Sequence, residues 1–134
     1  MIKNILILCT GNSCRSIIAE ALVNLHLSSK GIKAYSAGVN PSNKINQNAK
    51  KVLQEYGGWK DEYYSKDIKQ IQNIDFELVI TVCNNAKEVC PVFPKNTKVL
   101  HIGFEDPDGK EYSAFIDTYN QIKTKLLPSV SSCI

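Results

Sequence analysis

Ile5-Leu6-Ile7-Leu8-Cys9-Thr10-Gly11-Asn12-Ser13-Cys14-Arg15-Ser16 is the stretch that decides the fold. Ile5 to Leu8 form a continuous apolar run, the pattern of a strand buried on both faces as in a parallel sheet. The run stops at polar, turn-rich Thr10-Gly11-Asn12-Ser13. From Arg15 onward Ile18, Ala21, Leu22 and Leu25 recur at helical spacing, with Glu20 and Asn24 on the outer side. The prediction is strand, loop, helix, with a cysteine where the strand ends and an arginine where the helix begins.

That spacing has a physical consequence. A loop of this length curls so that the N–H groups of Thr10, Gly11, Asn12, Ser13, Cys14 and Arg15 point at one centre, to which the following helix adds its positive end. Arg15 supplies a planar, bidentate contact to two oxygens of a tetrahedral anion, which a lysine does not reproduce. Cys9 then lies beneath the anion. The same donors stabilise a thiolate, so Cys9 is expected to have a lowered pKa and to act as a nucleophile at neutral pH. The Ser16 hydroxyl is expected to hydrogen-bond that thiolate, and Gly11 to let the loop close tightly.

Working outward, Ala34 to Ala37 reads as a second strand. Ala49, Val52, Leu53 and Tyr56 line one side of a second helix, which Gly57-Gly58 should stop. In the segment that follows, 59–75, a short helix near Ser65 to Ile71 is one reading, and the residue pattern leaves the segment open. Phe76 to Val82 is a further apolar, β-branched strand, and the stretch from Cys83 to Cys90, closed off by Pro91 and Pro94, fits a short helix or loop. Val99 to Ile102 makes a fourth strand. Phe115, Tyr119, Ile122 and Leu126 make a last amphipathic helix ended by Pro128, with 129–134 as a loose tail. Strands alternating with helices imply one α/β domain: a central four-stranded parallel sheet with helices on both faces and its site at the carboxyl ends of the strands.

Composition is consistent with this. The chain has 134 residues, 43% of them hydrophobic and 22% charged, which suits one globular domain. A net charge of +3 with its lysines dispersed argues against a nucleic-acid partner. The apolar start is too short for a signal peptide or a membrane span, so a cytoplasmic monomer is expected. Five cysteines, an odd number, without an export signal point to thiols kept for chemistry.

A thiolate attacking a tetrahedral oxyanion must expel an oxygen, which needs a proton. Asp106, stiffened by Pro107 after the fourth strand, is the candidate acid, with Glu105 and Asp108 as rivals. Cys83 and Cys90 are not needed by a phosphatase. Topology brings Cys83 to the same sheet edge as Cys9, which suggests a redox relay. Zinc is disfavoured, there being no Cys-x-x-Cys knuckle and His101 lying inside a strand. His26 and His101 are read as structural. Trp59 and the Tyr63-Tyr64 pair are expected to pack or to rim the site.

The chain resembles the thioredoxin-coupled arsenate reductases, whose fold is that of the low-molecular-weight protein tyrosine phosphatases. The matching pieces are Cys-Thr-Gly-Asn-Ser-Cys-Arg-Ser at 9–16, Ser-Ala-Gly at 36–38, Thr-Val-Cys at 81–83, Cys-Pro at 90–91 and Gly-Phe-Glu-Asp-Pro at 103–107. The resemblance implies that Cys9 attacks arsenate, that Cys83 attacks Cys9 with release of arsenite, and that Cys90 takes over Cys83. The final disulfide would be reduced by thioredoxin, itself served by thioredoxin reductase and NADPH. No cofactor is expected to be tightly bound. The family also binds potassium near the loop, which maps to Asn12, Glu20, Ser36 and Asp67.

Three features depart from the resemblance or stand outside its relay. Residues 57–64, Gly-Gly-Trp-Lys-Asp-Glu-Tyr-Tyr, do not follow the family's Ser- and His-rich stretch, which bears on the potassium site and not on the relay. Cys133 has no counterpart, and Cys14 is assigned no catalytic step. The alternative reading is a phosphatase acting on phosphotyrosine or a small phosphate ester, since the loop and Asp106 run that chemistry unaided. Against it, Asp108-Gly109 follow Asp106-Pro107 where the phosphatases carry aromatic residues. A non-catalytic anion-sensing module is a third reading, opposed by the presence of Cys9, Arg15 and Asp106 together.

Overall fold

A computed structural model describes residues 2–83, 93–94 and 97–133. Four parallel strands form the sheet: β1 (Lys3–Cys9), β2 (Ile32–Gly38), β3 (Leu78–Thr81) and β4 (Lys98–His101), in the order β2-β1-β3-β4. The helices among the described residues are α1 (Arg15–Leu27), α2 (Gln47–Tyr56) and α3 (Tyr112–Cys133). Short 3-10 turns occupy Ser28–Lys30 and Ile68–Gln70.

β1 is central, and Ile5, Leu6, Ile7 and Leu8 are all fully buried, so both faces of the sheet are covered there. In register Leu8 lies opposite Ala37 and Thr81, and Thr81 lies opposite His101. Because all strands run the same way, Cys9, Cys83 and the segment after β4 emerge at one edge. The chain leaves β1 for β2 on one side and reaches β3 on the other, and such a switch point is where α/β sheets open a crevice.

α1 is wedged between the sheet and helices α2 and α3. Its residues Ser16 to Val23 are therefore all buried, Glu20 among them. This corrects the expectation that Glu20 faces outward, while Leu25, expected inside, is 47% exposed. In α2 the side chains of Ala49, Val52 and Leu53 are buried, while Tyr56 is mostly exposed. The Asn46 side chain caps this helix by accepting from the Asn48 and Ala49 amides.

α3 buries Phe115, Tyr119, Ile122 and Leu126 as the spacing predicts, but it does not end at Pro128. It continues to Cys133. Proline removes one backbone bond, at a cost of about 3 kcal/mol in a helix interior. Burial of Val130 and the packing of Cys133 against the core offset it, and Ser129 Oγ donates to Lys125 O at 3.0 Å. The expected loose tail is thus helical to Cys133. No helix among the described residues is long and apolar enough to cross a membrane.

Candidate active site

Residues 9–14 form a loop whose carbonyls are drawn outward. Cys9 O accepts from Val39 N at 3.1 Å, Thr10 O from Asn40 N at 2.9 Å, Gly11 O from Ser42 N at 2.9 Å and Ser13 O from Asn46 N at 3.0 Å. Ser65 Oγ also donates to Gly11 O, at 3.1 Å. With carbonyls turned to the outer segment, the peptide N–H groups are turned to the inner side. Those of Gly11, Asn12, Ser13 and Cys14 donate to no backbone carbonyl among the described residues. The N-cap of α1, Cys14, makes no side-chain capping bond, so the helix adds uncapped N–H groups and its positive end to the same centre.

Two devices hold the loop in this shape. Asn12 takes a left-handed conformation, φ 51°, which asparagine tolerates better than most residues. Its side chain is buried and fully engaged: Oδ1 accepts from Lys66 N at 2.9 Å and Nδ2 donates to Ser16 Oγ at 2.8 Å. Ser16 Oγ accepts from Asn12, and the bond expected from the Ser16 hydroxyl to Cys9 is not among those formed by the described residues. The second device is Gly38, where an added Cβ would stand 2.5 Å from Thr10 O and 3.2 Å from Asn12 N. Both are backbone atoms, so the loop itself would have to move. Gly38→Ala is expected to cost about 1–3 kcal/mol of overpacking, a fall in melting temperature of roughly 4–12 °C. Phosphate should also bind more weakly, and unchanged melting and phosphate affinity would refute this role for Gly38.

Arg15 opens α1 and its side chain is 14% exposed. Nη1 donates to Phe104 O at 3.0 Å, and Nη2 lies 3.5 Å from Asp106 Oδ2. Nε is buried without a partner. A buried guanidinium nitrogen without an acceptor is costly, and an anion oxygen bound in the loop would supply one. Asp106 is half exposed at the mouth, where Oδ1 accepts from Asp108 N at 3.0 Å. Its rivals are otherwise engaged: Glu105 pairs with Lys110, and Asp108 Oδ1 accepts from Asn46 Nδ2 at 2.9 Å. A recess of about 380 Å³, lined by Arg15, Cys83, Gly103, Phe104 and Glu105, opens beside the loop.

Cys9 and Cys83 are both buried and unbridged. Cys83 Sγ lies 3.2 Å from Thr10 Oγ1, beside the Cys9 thiol. The Cys9 pKa is raised, first by the neighbouring Cys83 thiol and then by burial; the Arg15 charge and the Thr10 amide pull it down but are outweighed. This corrects the expected low value. The loop's own donors are as anticipated, whereas the opposing thiol comes from β3. Such a pair holds its protons jointly, so one thiolate forms only as the other sulfur keeps its hydrogen. Cys14 is pushed up to about 12, chiefly by burial, which keeps it an inert thiol.

Cys90 and the stretch joining it to Cys83 lie outside the described residues. Of the other expected side chains, Tyr63 is buried and its hydroxyl accepts from Asn24 Nδ2 at 3.1 Å, while Tyr64 is exposed. Trp59 donates to Asp61 and lies beneath the Lys50 ammonium. His101 Nδ1 is 2.8 Å from Thr81 Oγ1, at the sheet edge but away from the loop donors.

A family description for low molecular weight phosphotyrosine protein phosphatases matches residues 4–128. The chain belongs to this family. Within its range of similarity, arsenate reductase 1 of Staphylococcus epidermidis is 39% identical over 124 residues, 92% of each chain. The crystal structure of an arsenate reductase from Archaeoglobus fulgidus is 30% identical and superposes with a TM-score of 0.79, covering 95% of this chain and 98% of that one. A thioredoxin-dependent arsenate reductase of Corynebacterium glutamicum has a TM-score of 0.77 at 24% identity, over 98% of this chain and 62% of that one, a likeness of fold alone.

The four residues expected to hold potassium have hydrogen-bond partners within the protein. Glu20 and Ser36 meet, with Ser36 Oγ donating to Glu20 Oε1 at 2.6 Å. Asn12 Oδ1 is taken by Lys66 N, and Asp67 accepts from Lys69 N at 2.8 Å as the cap of a 3-10 turn. Sequence reasoning missed Lys66 altogether. A single lysine in a polar stretch carries no pattern that separates a buried ammonium from a surface one.

Proposed function

We propose that the chain is an arsenate reductase working through Cys9, Cys83 and Cys90 and regenerated by thioredoxin. The observation that carries this reading is Cys83 placed against the anion loop, its Sγ 3.2 Å from Thr10 Oγ1 and its thiol beside Cys9. A phosphatase has no use for a second thiol there, and that thiol makes the nucleophile harder to ionise.

Each step has its group. The loop amides and Arg15 hold arsenate above Cys9, whose thiolate attacks arsenic and forms an S–As bond. One arsenate oxygen leaves as water, with Asp106 at the mouth as the proton donor. Cys83 then attacks the Cys9 sulfur. An S–S bond forms as the S–As bond breaks, and its electron pair reduces arsenic from the +5 to the +3 state, so arsenite departs. Cys90 attacks Cys83, freeing Cys9 as a thiol and leaving a Cys83–Cys90 disulfide for thioredoxin, which draws its electrons from NADPH through thioredoxin reductase. Reduced thiols of this kind belong in the cytoplasm.

A second reading, phosphate-ester hydrolysis, is favoured by one observation: Asp106 lies beside Arg15 at the loop mouth. Against it as the main activity, the wall beyond Pro107 is polar, built by the Asp108–Asn46 bond, and among the described residues it offers no aromatic slot for a phosphotyrosine ring. Arsenate-dependent NADPH oxidation with thioredoxin and thioredoxin reductase tests the choice. Turnover that Cys83→Ser and Cys90→Ser each abolish is expected. Absence of turnover, with hydrolysis of a phosphate ester surviving both substitutions, would favour the phosphatase.

A further inference from the structure

Lys66 is buried, 6% exposed. Its Nζ donates to Ser36 O at 2.9 Å and to Tyr64 O at 3.0 Å, and it lies 4.5 Å from the centre of the Tyr64 ring. Glu20, 5% exposed, is its counter-charge. Burial pushes the Glu20 carboxyl up to about 7, opposed by the Lys66 ammonium and the Ser36 hydroxyl. Burial lowers the Lys66 pKa, and Glu20 opposes that in turn. Two peptide carbonyls on the ammonium, with a carboxylate as its counter-charge, are oxygen donors of the kind a hard cation takes.

The main chain of the same residue grips the anion loop. Lys66 N donates to Asn12 Oδ1 at 2.9 Å, and Lys66 O accepts from Gly38 N at 2.8 Å. Lys66 thus joins β2, through Ser36 and Gly38, to the loop, through Asn12, with Glu20 of α1 as its longer-range counter-charge.

We propose that Lys66 is a built-in cation, its ammonium standing on the Ser36 and Tyr64 carbonyls near Glu20 where an alkali-metal ion would otherwise lie, so that the anion loop is held in shape without a dissolved ion. Lys66 is a positioning residue: it touches neither the loop's inner face nor the reacting sulfurs, and acts through Asn12. The inference holds for whichever oxyanion the loop turns over.

Melting curves and phosphate titrations in potassium, sodium and tetramethylammonium chloride at equal ionic strength test it, without arsenate, so that a failure here leaves the cysteine relay untouched. The wild type is expected to melt alike and bind phosphate alike in all three salts. Lys66→Ser opens the oxygen cage and strands Glu20. Its melting temperature should fall by on the order of 10 °C in tetramethylammonium and recover saturably in potassium or sodium, with phosphate affinity recovering in parallel. Lys66→Met keeps the stem in the cage and should fall without recovering. A saturable, alkali-specific stabilisation of the wild type overturns the proposal, as does a Lys66→Ser variant that melts like the wild type or recovers in neither alkali salt. Should Lys66→Ser fail to fold, the wild-type salts decide.

Discussion

A Cys83→Ala variant is expected to lose thioredoxin-coupled arsenate turnover while its Cys9 becomes more reactive toward alkylating reagents. The loss follows from the relay, because no thiol remains against Cys9 to break the S–As bond. The gain follows from the site, because the neighbouring Cys83 thiol is the largest of the causes that raise the Cys9 pKa. With it removed, burial still opposes ionisation, but Arg15 and the Thr10 amide meet less resistance. The pH profile for iodoacetamide should therefore move to lower pH. Each unit of that shift gives about tenfold more thiolate. Nucleophilicity falls with basicity at a Brønsted slope near 0.4–0.5, so the net gain in rate is roughly threefold per unit. An unshifted profile would mean that the thiol contact does not govern Cys9.

Arg15→Lys is expected to lower kcat/KM for arsenate by about 10²–10³, the cost of losing one preorganised donor to a developing oxyanion. Arg15 divides its nitrogens between Phe104 O, Asp106 and an unpartnered Nε. A lysine ammonium has three donors at one point and cannot serve the loop after β4 and two anion oxygens together. Part of the loss should therefore appear as weaker phosphate binding, measured by titration. Asp106 is half exposed, so its pair with Arg15 contributes only about 0–1 kcal/mol to stability, and melting should change little. Wild-type kcat/KM in the lysine variant would exclude Arg15 as an anion ligand.

The parts of the site legible in the sequence are those that one strand, one loop and one helix supply. The two-sided burial of Ile5 to Leu8 and the spacing from Cys9 to Arg15 are local, and the structure has both. What escaped is tertiary. Glu20 reads as a solvent-facing residue of an amphipathic helix, yet α1 is covered almost all round. Pro128 reads as a stop, yet Val130 and Cys133 gain enough by packing to carry the helix past it. The Cys9 pKa reads as lowered when only its own loop is counted, and it is raised by a residue seventy-four positions away in the chain. Lys66 was overlooked because burial of a lysine depends on what surrounds it, here Glu20, Ser36 and Tyr64. The Ser-Ala-Gly piece at 36–38 marks a real constraint, but its reason, the approach of Gly38 to Thr10 O, needs the fold.

A single turnover without thioredoxin tests the central claim most directly. Fully reduced protein is mixed with arsenate, quenched in acid, and analysed for arsenite, free thiols and disulfide-linked peptides. The relay predicts one arsenite per chain, two thiols lost, and a bridge between Cys83 and Cys90, shifting to Cys9 and Cys83 in a Cys90→Ser variant. Retention of all five thiols with no arsenite formed would contradict it.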